Sequence, residues 1–199
     1  QEKTIPLVLS GKDVIAGAAT GSGKTLVFGA AIIENCLERN GIQSLVLVPT
    51  RELAEQVARS IDLFSRHKAL RIAAVYGGVS INPQISELRH ADVVVGTPGR
   101  ILDHLERRTL DLRNVKILVL DEADRMLDMG FIDDVKRIIS QCPKYRQTML
   151  FSATISRDIS QLARDYMSDP QEVFAETNVD PTKLSQGYYD VQDNEKFSL

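Results

Sequence analysis

The sequence predicts an α/β fold: an open, doubly wound, mostly parallel sheet with helices on both faces. Three observations carry this. Short β-rich runs alternate with helix-period segments along the chain. Several of those runs are almost continuously apolar, as parallel strands covered on both faces must be. The glycine-rich and charged motifs fall at the C-terminal ends of the runs, where open α/β sheets bind their ligands.

The strands are expected at residues 14–16, 44–48, 72–75, 92–95, 116–120, 147–151 and 172–175. The first helix is expected over 25–39, with Leu26, Ala30, Ile33 and Leu37 on its inner face and Gly41 as its stop signal. A second, over 51–66, places Leu53, Val57, Ile61 and Phe64 together. Further helices are expected near 83–89, 98–107, 132–140 and 156–167. Right-handed crossovers between successive strands then give the doubly wound sheet. After Ala175 the pattern breaks: Pro181, Gly187 and polar residues precede a short β-like run, Tyr188-Tyr189-Asp190-Val191, which reads as a linker leading into a further element.

Composition narrows the function. A hydrophobic share of 43% and a charged share of 26% suit a globular domain with a substantial core. The net charge of −3 gives no overall field that attracts nucleic acid, so any such binding has to be local, through loops and helix ends. Arg107-Arg108 reads as a solvated helix end. The two cysteines, Cys36 and Cys142, are far apart and form neither a metal motif nor a disulfide framework, which fits a reducing, cytoplasmic or nuclear setting. No run is long enough for a membrane span, and Gln1-Glu2-Lys3-Thr4 does not have a signal-peptide pattern. His67, His90 and His104 have no metal spacing and are expected in solvated or capping roles.

The most informative stretch is Asp121-Glu122-Ala123-Asp124 at the tip of the apolar run Ile117-Leu118-Val119-Leu120. Carboxylates at the end of a buried strand are costly without a cation beside them. Upstream, Ala18-Ala19-Thr20-Gly21-Ser22-Gly23-Lys24-Thr25 has the composition of a phosphate-cradling loop. Its glycines allow backbone N–H groups to turn onto phosphate oxygens at a helix N-terminus. In that reading Lys24 reaches the outer phosphates of ATP, and the Thr25 hydroxyl ligates Mg²⁺. Asp121 is the second holder of the metal, and Glu122 orients or deprotonates the attacking water. Asp121 and Asp124 also suit helix caps, but capping does not explain Glu122.

Three more turns lie at strand ends: Pro49-Thr50-Arg51, Gly77-Gly78 and Thr97-Pro98-Gly99-Arg100. Each is good turn or capping chemistry in its own right. Together on one sheet edge, with exposed N–H groups and arginines, they read as a track for a phosphate backbone. Ser152-Ala153-Thr154 ends another buried strand and is expected close to Asp121 and Asp124.

These motifs, in this order and spacing, resemble the first-domain motifs of a DEAD-box RNA helicase, and Arg125-Met126-Leu127-Asp128-Met129-Gly130-Phe131 is similar to the family's continuation. The resemblance implies a RecA-like, phosphate-loop ATP-binding domain over 1–176, with 177–199 a linker and the start of a second RecA-like domain. It implies an ATP site made by Gln1, Ala19, Thr20, Gly21, Ser22, Gly23, Lys24 and Thr25, with Gln1 reading the adenine edge. It gives Lys24, Asp121 and Glu122 catalytic roles, and Thr25 and Asp121 the Mg²⁺. Pro49, Thr50, Arg51, Gly77, Gly78, Thr97, Pro98, Gly99 and Arg100 are implied to grip RNA through its backbone, independently of base sequence. Asp124, Ser152 and Thr154 are implied to couple nucleotide state to RNA opening.

The family's second-domain motif, His-Arg-x-Gly-Arg-x-Gly-Arg, does not occur here, and neither does the aromatic that precedes the adenine-reading glutamine. Arginine fingers contribute about 10³–10⁵ in rate to phosphoryl transfer. The expectation is that ATP and RNA bind weakly to this chain alone, with little hydrolysis. A DNA-directed translocase and a non-catalytic RNA clamp are the alternatives.

Overall fold

The computed structural model describes residues 1–17 and 22–174. Its elements are α1 (Thr4–Leu9), β1 (Val14–Gly17), α2 (Lys24–Asn35), β2 (Ser44–Leu47), α3 (Arg51–Phe64), β3 (Ile72–Val75), α4 (Ile81–Leu88) and β4 (Val93–Gly96). They continue with α5 (Pro98–Glu106), β5 (Ile117–Leu120), α6 (Ala123–Asp128), α7 (Ile132–Ile139), β6 (Gln147–Ser152), α8 (Arg157–Tyr166) and β7 (Gln171–Phe174). The expected linker and second-domain start, 177–199, lie outside the described residues.

The strands form one sheet in the order β3-β4-β2-β5-β6-β1-β7, and every pairing among them is parallel. β6 therefore separates β1 from β5, and β4 separates β2 from β3. The alternating pleat divides the core in two. Ile15, Leu45, Leu47, Val94, Leu118, Leu120 and Leu150 face α5 to α8, while Val14, Ala16, Val46, Val95, Val119 and Phe151 face α1 to α3. On the second face Phe28 and Phe151 pack as tilted rings 5.5 Å apart, a favourable edge-on geometry. The fully buried strands β2, β4, β5 and β6 are the apolar runs that signalled a parallel sheet.

Two helix faces differ from expectation. In α2 the buried apolar side chains are Val27, Phe28, Ala31 and Ile32, whereas Leu26 is exposed. The segment is apolar enough for two stripes at helical spacing, and the one carrying Phe28 and Ile32 buries more surface. The helix also stops early: the Asn35 amide folds back onto the Ala31 carbonyl at 2.9 Å, and Cys36 is extended. Leu37 thus lies beyond the helix, and Gly41 is not its stop. In α3, Val57 and Ile61 are buried as expected, with Ala54 and Ala58 beside them, but Phe64 is partly exposed. It closes over α2, where a Cβ added to Gly29 would meet its ring at 3.3 Å. The short helices α1 and α6 were not anticipated.

Candidate functional site

The C-terminal ends of β1, β6 and β5 carry the charged residues. Lys24, the first residue of α2, points its Nζ at Asp121 Oδ1 across 3.1 Å, with the two side chains only 9% and 3% exposed. Asp121 also accepts the Glu122 amide at 3.0 Å. Burial holds the Asp121 pKa above the ordinary carboxylate value although Lys24 pulls the other way. Gly23, which caps α2, has φ +81, a left-handed conformation that glycine adopts without the steric cost a side chain brings. Thr25 is half-buried beside Lys24, and Ser22 is exposed. Ala19, Thr20 and Gly21 lie outside the described residues.

Gln1 belongs to the same corner. Its carbonyl accepts the Thr4 and Ile5 amides at 3.0 and 2.9 Å, and its side-chain amide donates to the Ser22 carbonyl at 3.2 Å. A Cβ on Gly23 would collide with that side chain. A cavity of about 490 Å³ opens here, lined by Gln1, Thr4, Gly17, Ser22, Lys24 and Phe174 among others.

Glu122 caps α6 with φ 51 and ψ 51. A non-glycine residue held there is strained by about 1 kcal/mol or more. The bend leaves Asp121 facing Lys24, while Ala123 enters the core. Arg125 reaches the Glu122 carboxylate at 3.4 Å. Asp124 is tied to the end of β6. One carboxylate oxygen accepts the Ala153 and Thr154 amides at 3.1 and 3.0 Å and the Thr154 hydroxyl at 3.1 Å. The Ser152 hydroxyl accepts the Asp124 amide at 3.2 Å and donates to the Thr154 carbonyl at 2.7 Å. Burial pushes the Asp124 pKa up, but the donors from Thr154 and Arg125 outweigh it and hold it below the usual range.

The three turns lie side by side on the edge formed by β2, β4 and β3. Thr50 caps α3, its Oγ1 accepting the Leu53 amide at 3.3 Å, directly after Pro49. Arg51 pairs with Glu55 at 3.4 Å and lies over the Tyr76 ring at 5.0 Å, yet its side chain stays 48% exposed. Gly77, Gly78 (φ +80) and Gly99 have open space where a side chain would stand. Pro98 is the first residue of α5, and Thr97 takes the capping position without a side-chain cap bond. Arg100 differs from Arg51: it is only 12% exposed and turns back onto Gln84 and the Val79 carbonyl.

Behind these turns lies a polar cluster that sequence reasoning missed. His104, expected in a solvated or capping role, is fully buried and bonded to Thr109 at 2.8 Å and Gln84 at 3.3 Å. Burial, reinforced by Arg100, holds the His104 pKa below its usual value. The only available signal was helical spacing, since His104 shares a face with Ile101. His67 and His90 are exposed as expected. Cys36 and Cys142 are buried free thiols, each pushed up to about 11 chiefly by burial, and therefore unreactive. Among the described residues no cluster of three or more histidine, cysteine or acidic side chains forms a metal cage, and no helix is long and apolar enough to cross a membrane.

A family model described as DEAD/DEAH box helicase matches residues 1–162. A probable ATP-dependent RNA helicase of Methanocaldococcus jannaschii is 50% identical over 198 residues, covering 99% of this chain and 53% of that protein. The ATP-dependent RNA helicase CshA of Limosilactobacillus reuteri is 47% identical over 202 residues, 100% of this chain and 41% of the relative. The crystal structure of a DEAD box protein from the hyperthermophile Methanococcus jannaschii superposes with a TM-score of 0.86 at 50% identity, over 98% of this chain and 53% of that one. That of a hypothetical ATP-dependent RNA helicase from Sulfolobus tokodaii gives 0.81 at 45% identity, over 87% and 51%. The chain spans about half the length of these relatives, or less.

Proposed function

Because this chain belongs to the DEAD/DEAH box helicase family, we propose that it is the ATP-binding, first RecA-like domain of an RNA helicase whose whole protein couples ATP hydrolysis to duplex unwinding or remodelling. The observation that carries the reading is the Lys24–Asp121 pair. A lysine at a helix N-terminus and a buried carboxylate meet at the strand ends, where a triphosphate and its metal need a cation and an anion respectively.

On ATP binding the pair separates: Lys24 turns to the outer phosphates, joined by the amides around Gly23, and Asp121 is freed. Thr25 and Asp121 suit Mg²⁺, which is usually held by one or two protein oxygens together with substrate phosphates rather than by an all-protein cage. Held by Thr25 and Asp121, the metal would supply charge neutralisation at the phosphate oxygens. Glu122 accepts the proton of the water that attacks the terminal phosphorus as the bond to the β-phosphate oxygen breaks and ADP leaves. Gln1, which lines the cavity, is assigned the adenine edge. RNA lies across the exposed turns at Thr50, Gly77-Gly78 and Thr97-Gly99, gripped by its backbone. The relatives' length leaves room for a second RecA-like domain to complete both sites.

Thermal melting with Mg²⁺ and ATP tests the reading. At a nucleotide concentration of about 100 Kd the chain gains about 2.7 kcal/mol, and Lys24→Ala abolishes that gain. Unchanged ATP-induced stabilisation in the variant would overturn the phosphate-loop assignment.

A further inference from the structure

We infer that Gln84 and Arg100 are positioning residues for RNA, a clip that locks the Gly77-Gly78 turn against the start of α5, and that Arg100 is not itself a phosphate contact. The inference rests on the RNA reading above and refines it. Gln84 lies on α4, whose sequence carries none of the motifs that signal function. Its side-chain nitrogen donates to the Tyr76 carbonyl at 3.0 Å, the residue directly before Gly77. Its oxygen accepts from Arg100 Nη1 and His104 Nε2, each at 3.3 Å. The amide cannot be flipped without setting its NH₂ against the Arg100 donor and its oxygen against the Tyr76 carbonyl. That fixes the His104 tautomer with the proton on Nε2, and leaves Nδ1 to accept from the Thr109 hydroxyl.

Arg100 completes the clip from α5. Nη1 holds Gln84, and Nη2 holds the Val79 carbonyl at 3.0 Å, one residue past Gly78. The glycine turn is thus anchored at both ends, at Tyr76 and at Val79, by side chains reached from α4 and α5. Asp103 stands 3.8 Å from Arg100 Nε, but its closer partner is Arg107 at 2.5 Å. A grip made by backbone N–H groups of exposed glycines has no side chain to adjust, so its accuracy must come from what holds the turn from behind. An arginine spending two nitrogens on that task, with its side chain nearly covered, has no free fork for a phosphate.

The test is an NMR titration of this chain with oligouridine at low salt, following the Gly77, Gly78 and Gly99 amides, repeated across a salt series. Arg100→Lys keeps the charge but cannot hold Gln84 and Val79 together. It is expected to weaken RNA binding about tenfold, as much as Arg100→Met, with the salt slope unchanged in both. Gln84→Met is expected to weaken binding similarly, and the Gln84→Met/Arg100→Met double variant no further. The inference is overturned if Arg100→Lys binds like the unaltered chain while Arg100→Met lowers the slope by about 0.7, the signature of one lost contact to single-stranded phosphate. It is equally overturned if folded Gln84→Met binds normally. Should Gln84→Met fail to fold, the two Arg100 variants decide. Absence of RNA binding by the unaltered chain would instead refute the RNA reading beneath it.

Discussion

Replacing Lys24 by methionine keeps most of the side-chain volume and removes the charge that faces Asp121. The carboxylate is then left almost wholly buried without its cation. Breaking a buried ion pair from one side costs about 3–5 kcal/mol, because the remaining charge stays desolvated. Asp121 retains the Glu122 amide at 3.0 Å, which argues for the lower end, about 3 kcal/mol. For a chain of this size that lowers Tm by about 6–12 °C, at roughly 2–4 °C per kcal/mol. Urea unfolding followed by circular dichroism measures the loss as a shift in midpoint at constant m. Lys24→Met/Asp121→Asn removes both charges and is expected to recover most of it, giving a coupling of about 2–3 kcal/mol. A single-variant loss below about 1 kcal/mol, or a double variant whose loss is the sum of the two singles, would show that the pair is solvated and the proposed exchange with nucleotide wrong.

Gly96→Ala is expected to cost about 1–3 kcal/mol, because its Cβ would fall 2.6 Å from the Val75 carbonyl and 2.8 Å from Ile101; a melt within 1 °C of the unaltered chain would refute this. Arg51→Met, in contrast to the Arg100 variants, is expected to lower the RNA salt slope by about 0.7, since Arg51 keeps half its side chain in solvent; an unchanged slope would exclude it as a phosphate contact. The His104 pKa is depressed by burial and by Arg100, with Asp103 opposing, so the folded chain resists its protonation. Stability from this group is full above the unfolded value of about 6.5 and is lost as pH falls below it. Melts across that range should show the loss in the unaltered chain and a flatter profile in His104→Gln. Ser152→Ala orphans the Asp124 amide and should cost about 1–3 kcal/mol, against about 1 kcal/mol for Thr154→Val, which leaves three backbone donors on Asp124; equal losses would place no special weight on Ser152.

The sheet was legible because parallel strands covered on both faces cannot hide. Val93-Val94-Val95 and Ile117-Leu118-Val119-Leu120 read as strands from their apolar continuity, and both are buried throughout. The inner face of α2 was not legible, since its composition supports two stripes and only packing against Phe151 selects the one with Phe28. Helix α6 was not expected because its N-cap is Glu122, in the left-handed region and without a side-chain cap bond, rather than the Asp121 or Asp124 that suit capping. Lys24, Asp121 and Asp124 stood out because charge beside apolar strands needs a reason. Gln84 and His104 did not, because a polar residue within an amphipathic helix reads as its solvated face, and only the fold turns these two inward.

The order of the strands explains why Asp124 bonds to the end of β6, at Ser152, Ala153 and Thr154. β1, which leads to Lys24, and β5, which leads to Asp121, are not neighbours; β6 runs between them. Lys24 and Asp121 thus meet across the end of β6, beside Ser152-Ala153-Thr154. Asp124 is three residues from Asp121, across the Glu122 bend, and is pinned to that strand end by three donors on one oxygen and by its own amide on Ser152. A shift of Asp121 toward a bound metal would load those bonds before it deformed the fully buried strands beneath, because close-packed interiors resist small displacements. In the proposed reading, a displacement of Asp121 by nucleotide would reach the end of β6 through its junction with α6, where Asp124 meets Ser152 and Thr154.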